Sequence, residues 1–259
     1  MDVWYMSGAG NDFVVLDIRG KKLDLSRLAV ELCKLTGADG LMAADVSPVS
    51  DFRLHFYNSD GSRGEMCGNG ARCLCRFAYE TGIAGEAMTV ETDGGAVYGR
   101  RLDESLYRIR LPDPGVVDLS RKPEVAYVEL GTPGLPHGVL EIPGLTWENR
   151  EAYRQQAKAL RFDPAFPKGA NISMYTRLAP DRVRILTYER YVEDYTLACG
   201  TGSAAVALVL RRKGLLPSDR ITVENPGGNL TISFQSLPNT PDAIFLEGTT
   251  EVIRVFIAK

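Results

Sequence analysis

Histidine is almost absent from this chain: its 259 residues hold two, His55 and His137. A site built from several imidazoles is therefore excluded. A zinc centre on Cys67, Cys73 and Cys75 fails on the same shortage and on their spacing. Long apolar runs are also missing. The longest unbroken one, residues 204–210, is far short of the roughly 20 residues that a membrane helix needs, so no membrane association is expected. Neither sign of charge dominates, and the net charge of -3 offers no basic surface for nucleic acid. The first residues show neither a basic stretch nor an apolar one, so no secretory signal is expected. The cysteines, five in number, do not form the even framework of a secreted disulfide scaffold; the expected compartment is the reducing cytoplasm. Gly-x-Ser-x-Gly and Walker sequences are missing. Gly8-Ala9-Gly10 lacks a third glycine and a recognisable preceding strand, so it is not read as a dinucleotide loop.

What remains is an ordinary soluble composition, 44% apolar and 24% charged, in a chain long enough for one large or two medium domains. The pattern is mixed α/β. Alternation predicts strands at 51–57, 106–111 and 182–186, and short apolar runs beside turn signals predict strands at 14–17, 88–91, 125–130, 138–142 and 221–224. Helical spacing predicts helices at 26–35 and 148–160. Two further helices follow segments that repeat each other: Met66-Cys67-Gly68-Asn69-Gly70-Ala71-Arg72 and Ala198-Cys199-Gly200-Thr201-Gly202-Ser203-Ala204. Thr89-Val90-Glu91 with Gly94-Gly95 follows the first cysteine at nearly the distance at which Thr222-Val223-Glu224 with Gly227-Gly228 follows the second. Gly10-Asn11 has a looser echo in Gly169-Ala170-Asn171. Two like halves imply a duplicated fold. The expected division is 1–113 and 114–249, with the last strand, 250–259, returning to the first half.

The repeated elements carry a specific chemistry. First-turn amides of a helix lack internal partners and favour an anion such as a carboxylate. Glycines let backbone approach that anion closely. A thiol at the same helix start is expected to have its pKa lowered by the helix dipole and to serve as a base. Two such thiols on opposite faces of one α-carbon would remove a proton and return one, inverting the centre. The amides would stabilise the charge that develops on the carboxylate. No metal or pyridoxal cofactor is required. A single Cys-Gly-x-Gly is weak evidence, because buried cysteines are common small hydrophobes. Two in matched halves point to function, whereas Cys33, Cys73 and Cys75, inside predicted helices, are expected in the core.

Four segments resemble, in order and spacing, motifs of the diaminopimelate epimerase family: Ser7-Gly8-Ala9-Gly10-Asn11-Asp12-Phe13, Phe56-Tyr57-Asn58-Ser59-Asp60-Gly61-Ser62, Cys67-Gly68-Asn69-Gly70-Ala71-Arg72, and Tyr188-Glu189-Arg190 leading to Ala198-Cys199-Gly200-Thr201-Gly202. The likeness covers essentially the whole chain. It implies an α+β fold of two pseudo-symmetric domains, each a mainly antiparallel sheet wrapped around a central helix. It implies a cofactor-independent isomerase interconverting LL- and meso-diaminopimelate for lysine and peptidoglycan synthesis, commonly a homodimer. By this resemblance Cys67 and Cys199 are the acid/base thiols. Gly68, Asn69, Gly200 and Thr201 hold the reacting carboxylate. Asn11, Asn58, Asn171 and Arg190 recognise the distal amino-acid end, and His137 and Glu189 lie near the reacting ammonium.

The chain departs from the family pattern at several places. Leu135 stands where many members have Asn, Tyr191 where glycine is common, Tyr195 where Glu is usual, and Ser7 where many have His. Two alternatives accompany the main expectation: a related racemase or isomerase of the same fold acting on another amino acid, and a non-catalytic amino-acid-binding module.

Overall fold

Alternating apolar residues and glycine turns build the first half as a strand-rich unit. In the computed structural model, which describes residues 1–64, 67–238 and 240–258, the chain divides into two units. One is Met1–Arg110 with Glu247–Lys259, and the other is Leu111–Leu246. Met66, which opens the first repeat, and Lys259, which ends the returning segment, lie outside the described residues, as do Glu65 and Asn239.

The first unit contains β1 (Asp2–Gly8), β2 (Asn11–Asp17), α1 (Leu25–Thr36), β3 (Gly40–Asp45), β4 (Phe52–Asn58), β5 (Arg63–Gly64), α2 (Gly68–Glu80), β6 (Ala87–Thr92), β7 (Gly95–Arg101) and β8 (Leu106–Arg110). Strands β1 and β2 form a hairpin, β2 and β3 run parallel, and β3 and β4 antiparallel. Then β4 and β6 run parallel, while β6–β7 and β7–β8 are antiparallel. Helix α1 is set by local signals. Asp24 accepts from the Arg27 amide, and Gly37, at φ +82°, closes the last turn in the left-handed conformation that glycine adopts without strain.

The second unit contains β9 (Pro114–Lys122), β10 (Val125–Leu130), β11 (Leu135–Glu141), a 3-10 turn (Arg150–Tyr153), α3 (Arg154–Arg161), β12 (Asn171–Ala179), β13 (Arg182–Glu189), β14 (Asp194–Thr196), α4 (Gly200–Arg212), β15 (Arg220–Asn225), β16 (Gly228–Leu237) and most of β17 (Thr240–Thr249), whose last three residues belong to the first unit. Its pairing repeats the first unit's order. The β10–β11 pair is antiparallel, β11–β12 parallel, β12–β13 antiparallel, β13–β15 parallel and β15–β16 antiparallel. Strand β18 (Glu251–Ile257) pairs antiparallel with β1 inside the first unit.

Each unit wraps its sheet around one helix. Helix α2 packs on β1, β2, β3, β7 and β8, and α4 on β10, β11, β12 and β16. Residues 202–210 of α4 are all buried, which explains a segment apolar on every face. Each fully buried Val or Leu there stabilises the unit by about 1.5–3 kcal/mol. Among the described residues no helix is long and apolar enough to cross a membrane.

Three expectations need correction. The helix predicted at 148–160 begins later, as a 3-10 turn at Arg150 and an α-helix at Arg154. Thr146 and Asn149 bond each other's backbone amides, holding a turn where the helix was expected to start. A strand, β1, does precede Gly8-Ala9-Gly10. The chain then turns as a hairpin through Ala9 (φ +55°) and Gly10 (φ +81°), with no helix to bind a dinucleotide. The echo of Gly10-Asn11 in Gly169-Ala170-Asn171 joins unlike places. Asn11 opens β2, whereas Asn171 opens β12, whose counterpart in the repeated pairing is β3.

Candidate active site

The first cysteine element lies wholly in the first unit. Cys67 is the N-cap of α2, in extended conformation (φ −127°, ψ 121°), and its carbonyl accepts the Ala71 amide at 2.8 Å. It is half-buried. Gly68 and Asn69 form the first turn of α2. Asn69, 2% exposed, donates from Nδ2 to Asn11 Oδ1 at 2.5 Å. The hairpin tip therefore rests on the helix start, and Gly8 is required there. A Cβ on Gly8 would lie 2.8 Å from the Asn69 carbonyl oxygen.

Asp39 escaped sequence reasoning. Its Oδ2 accepts from Asn11 Nδ2 (3.3 Å) and the Asp12 amide (3.0 Å), and its carbonyl accepts the Ser59 amide (3.0 Å). It joins the hairpin tip to the turn holding Asn58. Nothing local marks it, since an aspartate before glycine reads as an ordinary turn. Asn58 itself is exposed and donates to Ser62 Oγ at 2.9 Å, bracing its own turn.

The second element lies wholly in the second unit. Cys199, 7% exposed, is the N-cap of α4, and its Sγ accepts the Gly202 amide at 3.3 Å. Thr201 Oγ1 lies 3.5 Å from the same sulfur. The Glu189 carboxylate acts on the same sulfur, and its Oε1 accepts from Thr196 Oγ1 at 2.6 Å. Burial raises the Glu189 carboxyl above the ordinary range, against the pull of the Thr196 hydroxyl and the Cys199 thiol. Gly200 packs against Leu246.

Here the expected lowering of the thiol pKa fails for Cys199. Burial and the Glu189 charge push it well above the ordinary cysteine range, and its bonds from Thr201 and Gly202 offset this only in part. Desolvation of a buried group shifts a pKa by up to about 3–5 units, whereas a helix terminus contributes about 0.3–2 kcal/mol, roughly 0.2–1.5 units. Cys199 is thus a thiol at neutral pH. The other buried cysteines are thiols as well: burial raises Cys33 to about 11 and Cys73 and Cys75 to about 12.

Asn171, Arg190 and His137 also belong to the second unit. Asn171 Oδ1 accepts the Arg190 amide at 2.8 Å, so this asparagine holds the arginine's backbone. Arg190 Nη1 donates to the Lys168 carbonyl at 2.9 Å. Its buried Nε has no hydrogen-bond partner among the described residues. A planar fork with an unused N–H suits a carboxylate. Tyr191, next in sequence, has φ +74°, a region that costs a non-glycine residue about 1–2 kcal/mol. Tyr195 belongs to the core, packed edge-on against Tyr188. His137 is fully buried, with Nδ1 3.3 Å from Ser173 Oγ and Nε2 unpartnered among the described residues. Burial depresses its pKa to about 3, so the ring is neutral. Ser173 in turn contacts Thr187 Oγ1 at 3.3 Å. These two hydroxyls lie under Gly202 and were not anticipated. Among the described residues no group of three or more His, Cys, Asp or Glu is placed to hold a metal ion.

A profile of the diaminopimelate epimerase family matches residues 3–104 and 131–252, both cysteine elements included. The diaminopimelate epimerase of Aquifex aeolicus (strain VF5) is 36% identical, over 99% of this chain and 96% of its own. The chain belongs to the diaminopimelate epimerase family. The diaminopimelate epimerase of Flavobacterium psychrophilum is 33% identical, over 98% of each chain. Among solved structures, a Bacillus anthracis phenazine biosynthesis protein of the PhzF family superposes with a TM-score of 0.75 at 14% identity, covering 99% of this chain and 98% of its own. A probable proline racemase from Agrobacterium radiobacter K84 gives 0.68 at 16% identity, over 100% of this chain and 92% of its own. Those two likenesses establish the diaminopimelate epimerase-like fold, not the substrate.

Proposed function

We propose that this chain is an isomerase that interconverts LL- and meso-diaminopimelate, with Cys67 and Cys199 acting on opposite faces of the α-carbon. The observation that carries the reading is that the equivalent central helices, α2 and α4, are each capped by a cysteine. Gly68, Asn69, Gly200 and Thr201 offer first-turn amides and short side chains to the reacting carboxylate. Negative charge develops there when the α-proton leaves, and preorganised donors favour it.

The proton count balances without a cofactor. One sulfur, as thiolate, takes the α-proton: the C–H bond breaks and an S–H bond forms. The other, as thiol, gives its proton to the opposite face of the carbanion. The pair ends with its protonation states exchanged, ready for the reverse direction. Arg190, oriented by Asn171, faces the distal carboxylate, with Asn11 and Asn58 at the same end of the substrate. Glu189 and neutral His137 accept from the reacting ammonium. The product serves lysine and peptidoglycan synthesis in the cytoplasm. The working form is a homodimer, a reading supported by the exposed Ile253, Val255 and Ile257 of β18.

Diaminopimelate in deuterium oxide tests this. The wild type should exchange its α-proton and racemise. Cys67→Ala and Cys199→Ala should each lose at least about 10³-fold in racemisation, within the range for a positioned acid or base. Undiminished turnover by either variant refutes the thiol assignment. Preference for an amino acid without a distal amino-acid group refutes the substrate.

A further inference from the structure

Arg72 sits just over one turn into α2, yet its side chain is 0% exposed. A helical side chain points back toward the N-terminus, and this one does: Nη1 reaches the Gly68 carbonyl at 3.4 Å. Nε and Nη2 have no hydrogen-bond partner among the described residues. Among those residues no carboxylate acts appreciably on the guanidinium. The acidic groups that do are Cys67, Cys73 and Cys75. An arginine stays charged in proteins, and a buried charge without an anion is strongly unfavourable.

The duplicated element supplies an internal control. The residue five places after Cys199 is Ala204, also 0% exposed. The fold therefore buries alanine at this position of a central helix, and a guanidinium is not demanded by packing. Something in the first element calls for the charge. Cys73 and Cys75 are fully buried and stay protonated. Among the described residues Cys67, beside Gly68 and half-buried, is the group left.

We propose that Arg72 is a positioning residue for the reaction, the built-in counter-ion of a Cys67 thiolate at the start of α2. This rests on the reading of Cys67 as an acid/base thiol. Among the described residues the other charged groups around the helix are accounted for elsewhere. Asp12 of β2 acts on Cys73 and bonds Tyr5, and Arg76 pairs with Glu80. Tyr107 of β8 feels Arg101, Glu80 and Arg76. The resting enzyme then has Cys67 ionised and Cys199 protonated, the division of labour that two-thiol proton transfer requires.

The experiment is iodoacetamide labelling of the full chain from pH 5 to 10, with Cys67 and Cys199 read separately by peptide mass spectrometry. In the wild type the midpoint for Cys67 should fall below the ordinary thiol value of about 8.5. Arg72→Met should slow Cys67 labelling about tenfold or more at pH 7, and the acid limb of kcat/KM should move up in step, about one pH unit per tenfold. Arg72→Lys should restore most of both. A wild-type midpoint at or above the ordinary value overturns the proposal even if Arg72→Met does not fold. So does a folded Arg72→Met that keeps the wild-type profile. A rise in KM with an unchanged profile overturns it too, by assigning Arg72 to the substrate carboxylate. Turnover by Cys67→Ala would defeat the proposed function yet leave this test standing, because labelling reads the thiol and not the reaction.

Discussion

At the start of α2 a half-buried cysteine lies near a guanidinium; at the start of α4 a buried cysteine lies beside a carboxylate. The floors beneath the two helices differ in the same way. The register that pairs Phe13 with Gly40 and Met42 with Phe56 in the first unit pairs His137 with Asn171 and Ser173 with Thr187 in the second. Phe13, Met42 and Phe56 thus correspond to His137, Ser173 and Thr187. One helix start rests on an apolar floor, the other on a polar network. Both helices offer the same dipole and the same Cys-Gly-x-Gly turn, so the dipole cannot distinguish the sulfurs. Local charge and burial do. A duplicated scaffold has acquired two chemically unlike ends, which is what a reaction needing one base and one acid demands.

The comparison can be broken first at the glycines. A Cβ on Gly202 would come within 2.7 Å of Thr187 Oγ1 and 2.8 Å of Ser173 Oγ, both short side chains fixed in the sheet. On Gly70 it would strike Met42 Cε at 1.8 Å, the far end of a flexible side chain. Gly202→Ala should cost about 3 kcal/mol in urea denaturation and Gly70→Ala about 1 kcal/mol. Equal losses would mean that the floors do not differ in stiffness.

His137 sharpens the contrast through pH. Its folded pKa, about 3, lies below the unfolded value of 6.5. The unfolded chain therefore binds the proton first, and stability is lost as pH falls from about 6.5 toward 3. At pH 5 the loss is about 2 kcal/mol, at 1.36 kcal/mol per unit. His137→Gln should flatten the difference between urea midpoints at pH 7 and pH 5. A variant with the wild-type slope would place the acid sensitivity elsewhere.

The smallest effect concerns charge alone. Glu189→Gln keeps an acceptor for Thr196 but removes the carboxylate beside Cys199. Labelling of Cys199 at pH 8 should quicken about tenfold, the order expected for one nearby charge partly screened by solvent, while Cys67 is unaffected. Unchanged Cys199 labelling would leave burial as the sole cause of its raised pKa.

Much of this was legible in sequence because the signals are local. The two cysteine elements and the Gly94-Gly95 and Gly227-Gly228 turns each announce themselves within a few residues. Longer-range facts were hidden. The echo between Asn11 and Asn171 misled because a strand's neighbour is chosen by the sheet and not by its flanking glycine. Asp39 was missed because its partners come from a hairpin and a turn remote in sequence. Tyr195 stood out as a departure, yet it faces the core. Tyr191 departs at a backbone position with φ +74°, visible only once the turn is built.

By itself the sequence determined the duplication, the two capped helices and the presence of a thiol at each, since capping and turn chemistry depend on a handful of adjacent residues. Tertiary structure alone decided how those thiols differ. Burial, a carboxylate ten residues upstream of Cys199 and a guanidinium folded back under α2 set the local field, and such a field depends on distance through space, which sequence order does not specify.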